Sequence, residues 1–66
     1  MTKLRIYRLA KHELLSKRYF EESKLIINPD SKIAQQRIAK LDMEIKELDS
    51  MILQEEQEEQ EELKNL

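Results

Sequence analysis

The apolar residues in the second half of the chain recur with a regular spacing. Between Ala34 and Ile52 they follow one another at alternating steps of four and three. This is the heptad pattern of a packed helix, with isoleucine at the a positions and mainly leucine at the d positions. The spacing predicts a helix from about residue 30. Its packing seam consists of Ile38, Leu41, Ile45, Leu48 and Ile52.

The first half of the chain is apolar on one side, but less regularly. At about 100° per residue, one arc of a helix collects enough apolar side chains to face a core. The arc consists of Leu4, Tyr7, Leu14, Leu15, Tyr19, Leu25 and Ile26. Lys11 and Arg18 interrupt it. The pattern therefore predicts a helix over about residues 2–26 that packs through this arc.

One short stretch, INPDSK at residues 27–32, separates the two patterns. It holds the only proline of the 66 residues, and the chain contains no glycine. Proline disfavours the α conformation in the residue before it and suits the first turn of a helix. We therefore expect a turn at residues 27–29, with Asn28 capping the second helix. A kink in one long helix is the alternative.

The two predicted helices have matching apolar lengths. Folding back at the proline brings the start of the first helix beside residues 52–55, where the seam of the second helix ends. This predicts an all-α fold, an antiparallel and coiled-coil-like two-helix hairpin. A thin core of this size predicts a homodimer with a four-helix arrangement, or docking on a larger partner. A parallel pairing of second helices between two chains is the alternative, because isoleucine at a and leucine at d also favour it.

The net charge of −2 conceals a gradient along the chain. Residues 1–27 carry +4, residues 28–53 carry −1, and residues 54–66 carry −5. We divide the chain into a hairpin over residues 1–54 and an acidic extension, rich in glutamate and glutamine, over residues 55–66. In an antiparallel hairpin the basic first turns would lie beside this acidic end, where exposed ion pairs would support the register.

The composition argues against several classes of function. There is no cysteine and one histidine, so we expect neither a disulfide nor a metal site, and no cofactor. A chain this short has little room for a water-excluding pocket, so we expect no enzyme activity. No apolar run approaches the roughly 20 residues of a membrane span. We expect a cytoplasmic protein that does not bind membranes, of bacterial or phage origin.

A second apolar patch on the first helix lies outside the packing arc. Its apolar members are interspersed with basic residues, a combination that suits recognition of another protein through helix packing. The predicted partner-binding residues are Ile6, Leu9, Arg5, Lys17, Phe20, Lys24 and Ile27. The resulting hypothesis is a non-catalytic interaction module that docks on a larger protein as a regulator, an inhibitor or an adaptor.

Two other functions remain open from the sequence. The first helix carries seven basic residues with aromatic residues between them, which is compatible with contacts to nucleic acid. These basic residues point all around the helix, and the acidic end of the chain would repel phosphate. The other alternative is a scaffolding or assembly protein that associates only with itself.

Overall fold

The computed structural model describes residues 2–64, which form two α-helices joined by a short turn. Helix α1 is Lys3–Ile27 and helix α2 is Lys32–Lys64. They pack along each other as a rod of 55 × 17 × 13 Å. The predicted helical hairpin is confirmed. Helix α2 runs through the predicted boundary at residue 54, and residues 1, 65 and 66 of the predicted domains lie outside the described residues.

Both ends of α1 are capped by side-chain or backbone hydrogen bonds. At the start, the Thr2 Oγ1 accepts a hydrogen bond from the Arg5 backbone N–H at 3.4 Å. At the end, Asn28 leaves the helical conformation with φ −136° and ψ 89°, as a residue before proline favours. Its N–H still donates to the Lys24 carbonyl oxygen at 2.9 Å. The predicted bounds of 2–26 are therefore met to within one residue.

The connection between the helices is a four-residue turn. The Ser31 N–H donates to the Asn28 carbonyl oxygen at 3.1 Å, with Pro29 at the second position of the turn. The Ser31 Oγ then accepts from the Ala34 N–H at 3.3 Å, so Ser31 is the N-cap of α2. The prediction that Asn28 caps α2 is wrong. Asn28 caps α1 instead, because Pro29 and Asp30 form the reversal that separates the two helices.

Four ion pairs between the helices define their relative direction. Residue numbers rise along α1 as those of their partners fall along α2, so the hairpin is antiparallel. The pairs are Arg8–Glu56 at 3.2 Å, Lys11–Asp49 at 2.6 Å, Arg18–Asp42 at 2.5 Å and Glu21–Arg37 at 3.5 Å. The first of these joins the basic start of the chain to its acidic end, as the charge gradient predicted.

Little of the apolar surface is covered by the contact between the helices. Among the described residues, the buried apolar side chains are Leu4 and Ala34. The predicted seam residues of α2 from Ile38 to Ile52 are each half-buried. On α1 the predicted arc was too wide, since Tyr19 is 61% and Ile26 is 82% exposed.

On the packing face of α1, charged residues lie where Tyr19 and Ile26 were expected. Lys11 and Arg18 are half-buried there, and Glu21 is only 8% exposed. Together with Leu4, Leu14 and Leu25 they follow the heptad spacing that keeps a helix in contact with its neighbour. The register of the hairpin therefore determines which residues of α1 face α2. It places the three charged side chains against α2 and leaves Tyr19 and Ile26 exposed.

Candidate protein-interaction surface

A groove of about 450 Å³ runs between the helices near the turn. It is shallow and mostly apolar, with the Phe20 ring and the Leu41 side chain in its lining. Phe20 is 63% exposed, although it contacts the Lys24 ammonium at 4.7 Å from the ring centroid. The complete lining is Glu13, Ser16, Lys17, Phe20, Glu21, Arg37 and Leu41. We call this side of the hairpin the groove face.

The accessible charges around the groove are mainly positive. The side chains of Lys17, Lys24 and Arg37 are 61%, 40% and 57% exposed. Both Lys24 and Arg37 pair with the same oxygen of Glu21, at 3.4 and 3.5 Å. Glu13 lies 4.0 Å from Lys17 at the open edge. Because the Glu21 carboxylate is buried, an approaching partner would meet three cations and one carboxylate.

The structure brings together some of the predicted partner-binding residues and separates others. Lys17 and Phe20 line the groove, and Lys24 lies over the Phe20 ring. Ile6 and Leu9, 49% and 58% exposed, lie toward the other end of α1. Arg5 is exposed there as well, and Ile27, 86% exposed, is the last residue of α1. All seven predicted residues lie at least partly in solvent, and their role in binding stays a prediction.

The pattern of apolar residues did not predict that Arg37 and Leu41 line a groove. Leu41 had been placed in the seam, where it is half-buried, and its remaining surface lines the groove. Arg37 directly precedes the seam residue Ile38, a position that flanks the contact in a helix pair. Only the antiparallel register places Arg37 beside Glu21 and Lys17 of α1, so the sequence pattern of α2 alone held no sign of it.

The opposite side of the hairpin is closed by ion pairs. Arg18 lies between Asp42 of α2 and Glu22 of α1, and it hydrogen-bonds to both carboxylates. The hydrogen bond to Asp42 raises the pKa of Arg18 above its ordinary value, so the guanidinium stays charged at any physiological pH. Lys11–Asp49 and Arg8–Glu56 follow on this side, with the three acidic partners seven residues apart on α2. Ion pairs therefore line this side of the contact between the helices.

A second and smaller groove lies at the open end of the hairpin. Its volume is about 350 Å³ and its surface mixes polar with apolar atoms. Leu4 and Leu63 contribute the apolar part, and the pair Arg8–Glu56 crosses it. The lining is Leu4, Arg8, Glu56, Glu59, Gln60 and Leu63. Residues of the acidic end of α2, from Glu56 to Leu63, form one side of this groove.

The described part of the chain contains neither a cluster of metal-binding side chains nor a membrane-spanning helix. Within residues 2–64, no three histidine, aspartate or glutamate side chains cluster as a metal site would require. Neither of the two described helices contains an apolar stretch long enough to cross a membrane. Comparisons with protein-family models, with curated proteins and with solved structures give no match.

Proposed function

We propose that this protein is a non-catalytic helical interaction module. It docks through the outer face of α1 on a larger protein and acts on that protein as a regulator, an inhibitor or an adaptor. The observation that carries this proposal is the exposure of large apolar side chains on α1, in a chain whose buried apolar residues are Leu4 and Ala34 among those described. Covering this face would remove large apolar side chains from water, which is favourable.

The energetics of the exposed side chains support a protein partner. Fully burying a leucine or phenylalanine side chain contributes about 1.5–3 kcal/mol. Leu9 and Phe20 are each more than half exposed, so a partner that covers both would recover a substantial part of that amount. Lys17 and Lys24 flank Phe20 and would orient an acidic neighbour. Apolar anchors with charged flanks are the usual composition of a helix-docking surface.

We further propose that the hairpin forms a homodimer in a four-helix arrangement. The chain exposes 5655 Å² of surface. A folded monomer of 8.0 kDa is expected to expose about 4,450 Å². The excess of about 1,200 Å² is larger than the roughly 800 Å² that each partner buries in an interface of standard size. A second copy would therefore cover most of this excess surface, and the rest would remain for a larger partner.

The ion pairs within the hairpin count against the nucleic-acid alternative. Of the seven basic residues of α1, five pair with carboxylates of the same chain. Lys3 and Arg5 are the other two, and both lie near the acidic end of α2. Phosphate binding would have to displace these carboxylates and overcome their repulsion. The scaffolding alternative, which involves self-association alone, differs from the proposal only in lacking a second protein.

Capture from a host lysate with single-residue variants tests the docking face. The tagged chain is used at moderate salt with nuclease treatment, and the captured protein is identified by mass spectrometry. Leu9→Ala and Phe20→Ala are expected to retain full helicity, since both side chains are exposed, and to lower the yield of the captured protein at least tenfold. Met43→Ala is the matched control, because Met43 is 66% exposed on the outer surface of α2.

Three results would contradict the proposal. Nuclease-sensitive capture would favour nucleic acid, and the slope of binding against salt would then count the phosphate contacts. Capture of nothing besides the chain itself would favour the scaffolding protein. Equal losses with Met43→Ala and Phe20→Ala would show that the contact does not involve the outer face of α1.

A further inference from the structure

The structure points to one occupant of the groove face, a second copy of this chain that lies antiparallel to the first. In this arrangement the turn end of each hairpin lies beside the open end of the other, and a twofold axis passes near Glu13. The inference rests on the proposed dimer and adds the face, the direction and the contacting residues. It follows from the charges along the rod and from the spacing of the residues on the groove face.

Folding converts the charge gradient of the chain into a charge difference between the two ends of the rod. The turn half, residues 17–42, carries six basic and four acidic residues and a net charge of +2. The open half, residues 2–16 and 43–63, carries five basic and ten acidic residues and a net charge of −5. Two rods side by side in the same direction would place like charges together. In opposite directions, each positive half lies beside a negative half.

The apolar residues of the groove face are placed symmetrically about one level of the rod. The pairs Lys11–Asp49 and Arg18–Asp42 bracket this level and put Glu13 of α1 within one residue, about 1.5 Å along the rod, of Lys46 of α2. On α1, Ile6 lies seven residues before Glu13 and Phe20 seven residues after it, about 10 Å to either side. Steps of seven residues keep a helical position on one side of a helix pair.

The same symmetry holds on α2. Leu41 lies five residues before Lys46, and Met51 lies five residues after it. Leu41 lines the groove, and Met51 follows Arg37, another lining residue, by two heptads, so both belong to the groove face. Met51 is 42% exposed. A twofold axis at the level of Glu13 therefore places Phe20 on Ile6 of the second copy and Leu41 on Met51 of the second copy, each contact occurring twice.

Charged residues of α2 are also placed symmetrically about the level of Lys46. Arg37 lies nine residues before Lys46, and Glu55 lies nine residues after it. The axis brings Arg37 to the level of Glu55 of the second copy, with Glu58 one turn further on the groove side. The Arg37 side chain can turn toward these glutamates, since it is 57% exposed and its contact with Glu21 is long, at 3.5 Å. Glu13, which meets itself at the axis, is accompanied by Lys17 at 4.0 Å.

This arrangement divides the predicted partner-binding residues between two surfaces. Ile6 and Phe20 are covered by the second copy. Leu9 lies on the next face of α1, and Ile27 lies at the turn end, beyond the symmetric contacts. Both remain available for a larger protein. A larger protein that also contacts Phe20 would have to displace the second copy, so Phe20→Ala should weaken both contacts, whereas Leu9→Ala should weaken the docking alone.

Chemical cross-linking of single-cysteine variants tests the axis directly, because the natural chain contains no cysteine. Glu13→Cys is expected to link to its own copy through a short bismaleimide, in a purified protein that sediments as a dimer. Phe20→Cys should not link to itself, because the two thiols would be about 20 Å apart. An equal mixture of Ile6→Cys and Phe20→Cys should link into a heterodimer. His12→Cys is the control at the same level on another face of α1.

Several outcomes would overturn the inference. One is a monomer in sedimentation at 25 °C up to the highest soluble concentration. Another is a dimer in which Glu13→Cys links no faster than His12→Cys. Efficient self-linking of Phe20→Cys would place the axis elsewhere. No larger partner is present in these experiments, so a monomer that still captures a protein from lysate would refute this inference and leave the proposed docking function standing.

Discussion

At the scale of single residues, Glu21 is the least expected member of the contact between the helices. Its side chain is 8% exposed, and one oxygen, Oε2, has no hydrogen-bond partner. The other oxygen holds Lys24 and Arg37 at 3.4 and 3.5 Å, which are long distances for ion pairs. A buried carboxylate oxygen without a partner costs about 1–3 kcal/mol. We therefore expect Glu21 to lower the stability of the hairpin, while it contributes electrostatic contacts to the groove rim.

Replacing Glu21 by leucine is expected to raise the free energy of unfolding by about 1–2 kcal/mol. The substitution removes the unpartnered oxygen and adds an apolar side chain on the packing face. The cations it leaves behind stay hydrated, because Lys24 is 40% and Arg37 is 57% exposed. Urea unfolding followed by circular dichroism at a fixed protein concentration measures the change.

The exposed Glu47 provides the comparison for Glu21, since Glu47→Leu alters charge and hydrophobicity without touching the contact. Its effect on unfolding should stay within about 0.5 kcal/mol. A loss of stability in Glu21→Leu would show that the bridge from Glu21 to Lys24 and Arg37 outweighs the desolvation of the carboxylate.

At the scale of the elements, the start of α2 determines where the chain reverses. Ser31 ends the turn through its N–H and begins the helix through its Oγ, which accepts from the Ala34 N–H. Gln35 adds a hydrogen bond from its side-chain Nε2 to the Pro29 carbonyl oxygen at 3.1 Å. These contacts fix the first residue of α2, Lys32, three residues after Pro29. They thereby set the register in which Arg18 meets Asp42.

Ser31→Ala is expected to reduce the free energy of unfolding by about 1 kcal/mol, the usual effect of losing a serine N-cap. The Ala34 N–H would be left without its acceptor in the first turn of α2. Ser50→Ala is the matched control, because Ser50 is exposed within α2 and its hydroxyl donates to the Lys46 carbonyl oxygen. That control should be neutral or slightly stabilising, since alanine is the better helix former. Equal losses in both variants would refute the capping role.

The sequence predicted the packing face of α2 better than the packing face of α1, for a physical reason. In α2 the packing positions are apolar, so the heptad pattern is visible without knowledge of the partner helix. In α1, three of the packing positions are Lys11, Arg18 and Glu21, whose charges are balanced by residues of α2. No periodicity of apolar residues can reveal such positions. The groove escaped prediction for the same reason, because it forms only where Phe20 and Arg37 are brought together by the register.

At the scale of the whole molecule, the long and thin shape of the hairpin limits how much apolar surface it can bury. Two helices side by side bury one strip on each, and the rod of 55 × 17 × 13 Å leaves the remaining surface in water. The ion pairs along one side lie at exposed or half-exposed positions, where each contributes about 0–1 kcal/mol. Both terms are small beside the conformational entropy of ordering some 60 residues, so the isolated hairpin is marginally stable. The proposed dimer would add further apolar burial between copies.

The thermal midpoint of the purified chain is therefore expected to depend on its concentration. If folding is coupled to dimer formation, a tenfold increase in concentration adds about 1.4 kcal/mol per dimer and raises the midpoint by roughly 5 °C. Circular dichroism melts from low to high micromolar concentration measure this shift. Phe20→Asp is the informative variant, because it places a charge in the groove face while leaving an exposed position of α1 helical. The midpoint of this variant should be lower than that of the unaltered chain and independent of concentration. A concentration-independent midpoint in the unaltered chain would instead show that the hairpin folds without a second copy.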